Sequence, residues 1–483
     1  WPPCGHPPDA DAPLLDPSGQ NVSPVILSIQ QLTRMQESVG SGITRPLAWR
    51  KEQLGRLMTL IEQHEQDVLK ALQTDLGKPA TEAFFEIVAL RQELKFTRRH
   101  LRRWMRAKRV PVPVALSPGQ AQVIPEPLGC VLVIGPWNYP FQLTLRPLIS
   151  ALAAGNTAVL KPSEHAPAVA GLIAKLVADH FEPEVVRVEQ GDGAVAAELV
   201  AMPFDHIFFT GGGQIGRKVL AGAAANLTPV TLELGGKSPA LVLQGANLGV
   251  SARRLIWGKG INAGQTCIAP DHLLVESDLY ADLLNALRNE RLAMYGDNPL
   301  ASDQLGKIIN EQQFQRLERL LETARANGRI LIGGEISREQ RRIAPTVIAV
   351  DDRQDPLMGE ELFGPLLPVL RLGNLSEALQ TIRQQGKPLA LYLFGGSEAQ
   401  QQEVLSTTSS GGVCLNDVVM QAGIPELPFG GVGASGMGSY HGHNGFQTFS
   451  HYKAVLKRGF RFDFKLRYPP YSVDLNVLRR IAG

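Results

Sequence analysis

The sequence predicts an α/β protein with two parallel-sheet units. Short β-branched runs alternate with helical stretches from Leu128 to Leu234, the alternation resumes after Pro239, and a long segment of helical periodicity precedes both. Apolar strands that alternate with helices pack as a parallel sheet covered on both faces. At roughly 150 residues per domain, the 483 residues suffice for about three folding units with a cleft between them.

Residues 1–24 are crowded with Pro and Asp, lack a basic or apolar leader pattern, and read as a disordered or expression-derived extension. Helical periodicity runs from Ser28 to about Lys108. Leu54, Leu57, Met58 and Ile61 share a face, Val68, Leu69 and Leu72 follow, and Gly77-Lys78-Pro79 breaks the pattern. A second helix from Thr81 to Lys108 ends in a basic run, either a solvated terminus favoured by the helix dipole or a contact for RNA or membrane. Val110-Pro-Val-Pro-Val is an extended connector to Gln120–Pro127, a polar strand or hairpin arm.

Strands are expected at Gly129–Ile134, Thr157–Lys161, Val185–Glu189, His206–Phe209 and Val230–Leu234, with helices at Leu145–Ala154, Ala166–His180, Ala194–Ala201 and Gln214–Ala225. The second unit takes Ala240–Leu243, a helix from about Leu248, His272–Glu276, Leu279–Ala293, Pro368–Leu372, Leu375–Gln385 and Ala390–Phe394. From Phe460 to Tyr468 aromatic and charged residues alternate. Such a two-faced ribbon either packs as a strand, across a subunit boundary for instance, or lies on an anionic membrane surface.

A count of 48 Lys plus Arg against 46 Asp plus Glu gives a formal net charge of +2, which removes the electrostatic case for a dedicated nucleic-acid binder. No apolar run reaches the roughly eighteen residues that a membrane helix needs, so a soluble, cytoplasmic protein is expected. Cys4, Cys130, Cys267 and Cys414 are scattered with no CxxC pair, which fits a reducing compartment and no zinc site. His441-Gly442-His443 has no Cys or carboxylate at ligand spacing, so no metal is expected there and a structural or substrate-lining role is favoured.

After the strand at His206, Gly211-Gly212-Gly213-Gln214-Ile215-Gly216 matches G-x-G-x-x-G and leads into a helix, with Glu233 further along where a ribose-binding acid would stand. Glycines let a phosphate approach the backbone, and helix-start amides favour an anion. Adjacent glycines equally make a tight turn. The sharp Gly235-Gly236-Lys237-Ser238-Pro239 turn after Glu233 also suits a carboxylate presented in a cleft.

Several separated segments together resemble the aldehyde dehydrogenase superfamily: Pro136-Trp137-Asn138-Tyr139-Pro140-Phe141, Leu160-Lys161-Pro162-Ser163-Glu164, Phe209-Thr210-Gly211, Leu232-Glu233-Leu234-Gly235-Gly236-Lys237, Asn262-Ala263-Gly264-Gln265-Thr266-Cys267 and Glu360-Glu361-Leu362-Phe363-Gly364-Pro365. Leu427-Pro428-Phe429-Gly430-Gly431, Tyr440-His441-Gly442 and Arg467-Tyr468-Pro469-Pro470-Tyr471 resemble its class 3 and fatty aldehyde branch. The resemblance covers nearly the whole chain after about Val25.

What the resemblance implies is a Rossmann-type cofactor domain over 25–119 and 128–232, an α/β catalytic domain over 233–420, a small β oligomerisation element from 120–127 and 421–452, and a tail over 453–483. Strands of the second unit would carry Cys267 to the cleft. Cys267 would be the nucleophile that forms a thiohemiacetal and then a thioester, Asn138 with the Cys267 N–H the oxyanion donor, and Glu233 the base for water. Without the resemblance, Asn138 equally caps a turn and Lys161 is an ordinary strand-end charge.

The cofactor, NAD or NADP, would meet Lys161 and Glu164 at the first ribose, Gly211 and Gly216 at the helix start, and Trp137, Glu361 and Phe363 toward the nicotinamide. Glu164 opposes a 2′-phosphate by charge and so favours NAD. Expected substrates are small aldehydes of medium or long aliphatic, aromatic or isoprenoid type, and the expected assembly is a homodimer. No nucleic acid is involved, and membrane contact is at most peripheral, through the tail. A cofactor-independent thiol esterase using Cys267 and Glu233 and a catalytically silent protein on the same fold are the alternatives.

Overall fold

The computed structural model describes residues 27–113, 116–461, 463, 467–471 and 474–482. The expected extension over 1–24 and Cys4 lie outside the described residues. The N-terminal helical segment divides into α1 (Ile29–Gly40), α2 (Leu47–Gln63), α3 (Glu65–Leu76) and α4 (Ala80–Trp104). Ser28 opens α1 with a reciprocal capping box to Gln31. Gly77, at φ +61°, closes α3 in the left-handed conformation that glycine adopts without cost. Helix α4 stops at Trp104, short of the expected Lys108. Lys108–Val110 is instead strand β1, paired antiparallel with β2 (Gln120–Pro127). The Val-Pro repeats that follow keep this stretch extended, because a residue before proline avoids the helical region.

Strands β3 (Cys130–Ile134), β4 (Thr157–Lys161), β5 (Val186–Val188), β6 (His206–Thr210) and β7 (Val230–Glu233) form a parallel sheet, with helices α5 (Pro140–Ala154), α6 (Pro167–His180), α7 (Gly193–Val200) and α8 (Gly213–Ala223) between them. Helix α5 begins ahead of the expected Leu145, because Pro140 is preorganised for the first helical position. From β3 the chain moves outward through β4 to β5, then returns to place β6 and β7 on the other side of β3. That reversal makes the C-terminal ends of β3 and β6 the switch point where ligands bind in open α/β sheets.

The second sheet has the order β10-β13-β14-β9-β8-β15-β16: β8 (Pro239–Val242), β9 (His272–Glu276), β10 (Ile330–Ile332), β13 (Thr346–Val350), β14 (Leu366–Leu372), β15 (Ala390–Phe394) and β16 (Gly412–Leu415). All its pairings are parallel except β10 with β13. Between β10 and β13 lies a small ribbon of β11 (Ile336–Ser337) and β12 (Arg342–Ile343). Helices α9 (Leu248–Gly260), α10 (Tyr280–Tyr295), α11 (Glu311–Ala326), α12 (Leu375–Gln385) and α13 (Glu398–Thr407) accompany this sheet.

After β16, β17 (Gly436–Met437) joins the first sheet antiparallel to β7, and α14 (Gly442–Thr448) packs on α4 and α5. β18 (Ser450–Lys457) pairs along the whole of β2, which leaves β1 and β18 as the edges of a three-stranded antiparallel sheet. Of the expected ribbon, Phe460, Arg461, Asp463, Arg467 and Tyr468 are described and form no strand, and the others lie outside the described residues. The chain leaves the sheet after Lys457, and among the described residues the Phe460 side chain is fully exposed. A short helix, α15 (Leu475–Ala482), follows. Among the described residues no helix is long and apolar enough to cross a membrane.

Candidate active site

The C-terminal ends of β3, β4, β6 and β7 bring together Asn138, Lys161, Gly211 and Glu233. Cys267 arrives from the second unit, on the loop that leads from α9 into strand β9. That loop turns through three left-handed residues: Asn262 (φ +52°), Ala263 (φ +52°) and Gly264 (φ +73°). A Cβ at Gly264 would lie 2.3 Å from the Gly364 carbonyl oxygen, so only glycine fits there. Gln265 holds the turn. Its Nε2 donates to the Asn262 and Lys307 carbonyls at 3.0 and 3.1 Å, and its Oε1 accepts from the Ile309 N–H at 2.9 Å. A rigid loop places Cys267 on the wall of a cavity of about 310 Å³ that is mostly apolar. Helix α4 contributes Phe85, Val88, Ala89 and Gln92 to that wall.

Asn138 is buried and pinned from both sides. Its Nδ2 donates to the Gln265 carbonyl at 3.1 Å, while its own carbonyl accepts from Asn262 Nδ2 at 2.7 Å and Lys78 Nζ at 2.9 Å. An amide nitrogen carries two hydrogens, so the contact to Gln265 leaves one for an oxyanion. Lys78 is itself paired with Glu86 at 2.5 Å, both side chains fully buried, and sits 3.9 Å from the centre of the Tyr139 ring. Glu86 also accepts from the Gln142 N–H at 2.9 Å in the first turn of α5.

Neither Lys78 nor Glu86 stands out in the sequence, where Gly77-Lys78-Pro79 reads only as a helix break. Substituting Lys78→Met leaves Glu86 charged and unpaired in the interior. The expected loss is about 3–5 kcal/mol of stability, read as a lowered denaturant midpoint, together with a fall in kcat larger than any change in KM.

Glu233 ends β7 with 2 % of its surface exposed, and neither carboxyl oxygen has a hydrogen-bond partner among the described residues. Burial alone pushes its pKa well above the usual carboxylate range. The Cys267 thiol is raised as well, chiefly by burial, with Glu361 and Glu233 adding to the effect. A buried acid whose pKa is raised, within electrostatic reach of a buried thiol, is an arrangement suited to general acid–base work.

On the other side of the cleft, Lys161 donates to Glu164 at 2.7 Å, the lysine buried and the carboxylate at the surface. Trp137 and Phe363, the latter at φ +48°, meet edge to face with ring centres 5.2 Å apart. Glu361 lies against Gly235, where a Cβ would fall 1.9 Å from its Oε2, and burial with the nearby Asp271 raises its carboxyl to about 8. Asp271 forms an ion pair with Lys237 and accepts from the Leu362 N–H at 3.0 Å, while Lys237 also donates to the Glu360 carbonyl at 3.1 Å. Asp271 and Lys237 therefore fix the segment that carries Glu361 and Phe363. Sequence reasoning assigned neither a role, because their partners are far away along the chain.

Gly211 and Gly216 serve close packing: a Cβ would lie 2.5 Å from the Phe209 ring at the first and 2.8 Å from Leu234 Cδ2 at the second. A side chain at Gly212 would meet nothing within 4 Å, and α8 starts there without a side-chain cap. The nearby Thr210 hydroxyl is buried with no partner among the described residues. Backbone amides at the start of α8 and the Thr210 hydroxyl after β6, with the Lys161–Glu164 pair after β4 on the other side of β3, are groups that would fit a dinucleotide.

Residues 38–455 match the model of the Aldehyde dehydrogenase family. The chain belongs to that family. This aldehyde dehydrogenase is 43% identical over 443 residues to "Aldehyde dehydrogenase family 3 member H1" of Arabidopsis thaliana, covering 91% of the chain and 92% of the relative. It is 41% identical over 442 residues to "Aldehyde dehydrogenase, dimeric NADP-preferring" of Mus musculus, at 91% and 97% coverage. The solved structure titled "Substrate bound state of Staphylococcus Aureus AldH" superposes with a TM-score of 0.90 at 40% identity, over 94% of this chain and 99% of that one. The class 3 resemblance, the α/β fold and the assignment as an enzyme that oxidises aldehydes with NAD(P) therefore stand.

Of the other cysteines, Cys130 is buried and Cys414 half-buried. Among the described residues no three His, Cys, Asp or Glu side chains cluster as a metal site. His443 is exposed and packs on Trp104 and Phe446, whereas His441 is buried on the cavity wall.

Proposed function

We propose that the enzyme oxidises medium- and long-chain aliphatic, aromatic or isoprenoid-type aldehydes to carboxylic acids through a covalent adduct on Cys267. The observation that carries this reading is the apolar cavity with Cys267 on its wall and an unpaired, buried Glu233 nearby. The Cys267 thiol gives up its proton to water, and its sulfur adds to the aldehyde carbon. The second N–H of Asn138 and the Cys267 backbone N–H take the oxyanion. Lys161, Glu164, the α8 terminus, Glu361, Trp137 and Phe363 would hold NAD or NADP, which would supply the hydride acceptor that the oxidation needs. Glu233 then draws a proton from water, which attacks the thioester and frees the acid.

Growth of absorbance at 340 nm with a chain-length series of aldehydes, measured with each cofactor, tests this. No growth with any aldehyde, together with ester hydrolysis that depends on Cys267, would assign the site to a thiol esterase instead.

NAD is the favoured cofactor. Glu164 presents a surface carboxylate beside Lys161, compensating that cation and repelling a 2′-phosphate. The Glu164→Gln variant is expected to narrow the ratio of kcat/KM for NAD over NADP by roughly tenfold, equal to about 1.4 kcal/mol. An unchanged ratio places the discrimination elsewhere.

The three-stranded sheet of β1, β2 and β18, with both edges open, is the surface proposed to join two copies, in a protein that works in the cytoplasm with at most peripheral membrane contact. A molar mass near one copy in light scattering would refute the dimer.

A further inference from the structure

Three segments converge on Cys267, and the start of α4 grips each of them. Lys78, just ahead of the helix, donates to the Asn138 carbonyl at 2.9 Å; Glu86 accepts from the Gln142 N–H at 2.9 Å; Glu82 accepts from the Asn262 N–H at 2.9 Å. Glu82 and Glu86 stand four residues apart and so lie on one face of the helix. Lys78 and Glu86 form an ion pair that compensates both charges. Glu82 differs. Among the described residues its side chain makes one hydrogen bond, to a backbone amide 180 residues further along the chain.

An acid in the first turn of a helix has an ordinary structural use. It faces the positive end of the helix dipole, and at the third position it closes a capping box onto the N–H of the capping residue. That N–H does not exist here, because Pro79 caps α4. Burial pushes the Glu82 carboxyl up to about 7, against the pull of the Asn262 N–H and the Lys78 cation. The helix start therefore keeps a half-buried carboxylate whose partner lies in the cysteine loop.

Asn262 is the joint of that loop. At φ +52° it opens the left-handed turn, and its carbonyl accepts from the Gln265 N–H at 3.1 Å and from Gln265 Nε2 at 3.0 Å. Its Nδ2 donates to the Asn138 and Gln265 carbonyls at 2.7 and 3.0 Å. The Gln265 carbonyl is also the acceptor for Asn138 Nδ2. A displacement of Asn262 thus reaches both the Asn138 amide and the chain just ahead of Cys267. The thiol depends on the same loop, because the N–H groups of Cys267 and Ile268 favour its thiolate.

We propose that Glu82 is a positioning residue: by holding the Asn262 N–H it fixes the turn that sets the Cys267 sulfur against the Asn138 amide. It touches neither substrate nor cofactor. The inference rests on the reading of Cys267 as the nucleophile.

Two conservative variants separate this role from that of a helix-stabilising charge. Glu82→Asp keeps the charge at the helix start but falls one methylene short of Asn262, whereas Glu82→Gln loses the charge and keeps an acceptor oxygen at full reach. Glu82→Asp is expected to lower kcat by about tenfold or more, since small misplacements of a reacting group are felt strongly, while KM for the cofactor changes little. Alkylation of Cys267 by iodoacetamide, followed on the Cys267 peptide by mass spectrometry, should shift to higher pH in that variant. Glu82→Gln should keep most of kcat and the wild-type alkylation profile. A helix-dipole role reverses the order, with Glu82→Asp tolerated and Glu82→Gln impaired. That reversed order, equal impairment of the two, or wild-type behaviour of both overturns the inference. If the wild type oxidises no aldehyde with either cofactor, the oxidation reading fails on its own and the alkylation profile decides. A shift in Glu82→Asp that Glu82→Gln lacks then sustains the inference, and the same profile in both overturns it.

Discussion

Replacing Cys267 by serine is expected to lower aldehyde oxidation by at least about a thousandfold and to remove the covalent adduct seen by mass spectrometry after mixing with aldehyde and cofactor. The substitution exchanges sulfur for oxygen at nearly constant volume, on a loop held by Gln265 and by the left-handed turn at Asn262 and Ala263. Folding and cofactor binding should therefore persist. A serine hydroxyl is far less acidic than a thiol, and a thioester is far more reactive toward water than an ester, so both halves of the reaction suffer. Retention of more than a tenth of the activity would move the nucleophile elsewhere, and thiol labelling that is the same in wild type and variant would revive the silent-protein alternative.

Glu233→Gln is expected to behave differently. A first turnover of reduced cofactor should still appear as a burst, followed by steady turnover slowed by about 10²–10⁴-fold, the usual contribution of a positioned base. Because burial raises the Glu233 pKa, wild-type kcat should rise with pH as this carboxyl loses its proton, and the variant should lose that rise.

Stability should move the other way. The folded state holds the Glu233 proton more tightly than the unfolded chain does, so its contribution is greatest below the ordinary carboxylate pKa of about 4.3 and is lost as pH climbs toward the raised value. The neutral amide escapes that loss, and Glu233→Gln should melt higher than the wild type at neutral pH while turning over more slowly. An unchanged steady state would transfer the base role to another carboxyl, with Glu361 next in line.

Much of the architecture is legible because apolar runs are bounded by turn residues. Gln120–Pro127, Thr157–Lys161, His272–Glu276, Leu375–Gln385 and Ala390–Phe394 agree with the structure at both ends. Elements are missed where the apolar signal is short or interrupted, as in β10, β16 and β17, and where a polar helix such as α13 buries little, while α11 and β13 are missed despite plain apolar patterns. The helix extended to Lys108 is an error of the same origin, since β1 forms by pairing with a strand beyond the proline-rich connector.

At the site, Cys267, Asn138 and Glu233 announce themselves through compact local motifs. The groups that hold them do not. Lys78 reaches Asn138, Glu93 joins Arg146 to Gly442, and Asp271 holds the segment after Glu360, all through contacts between distant segments. Such contacts leave no periodic trace in a single chain.

Helix α4 turns two working faces toward the cleft. Phe85, Val88, Ala89 and Gln92, spaced as one helical stripe, wall the cavity, while Glu86 and Glu93, each one position further on, hold the ion pairs behind Asn138 and beside His441. Substitutions along the first stripe can reshape what enters without disturbing the machinery that acts on it. This helix is thus a natural place for the specificity of such enzymes to diverge, and the first place to randomise in a search for new substrates.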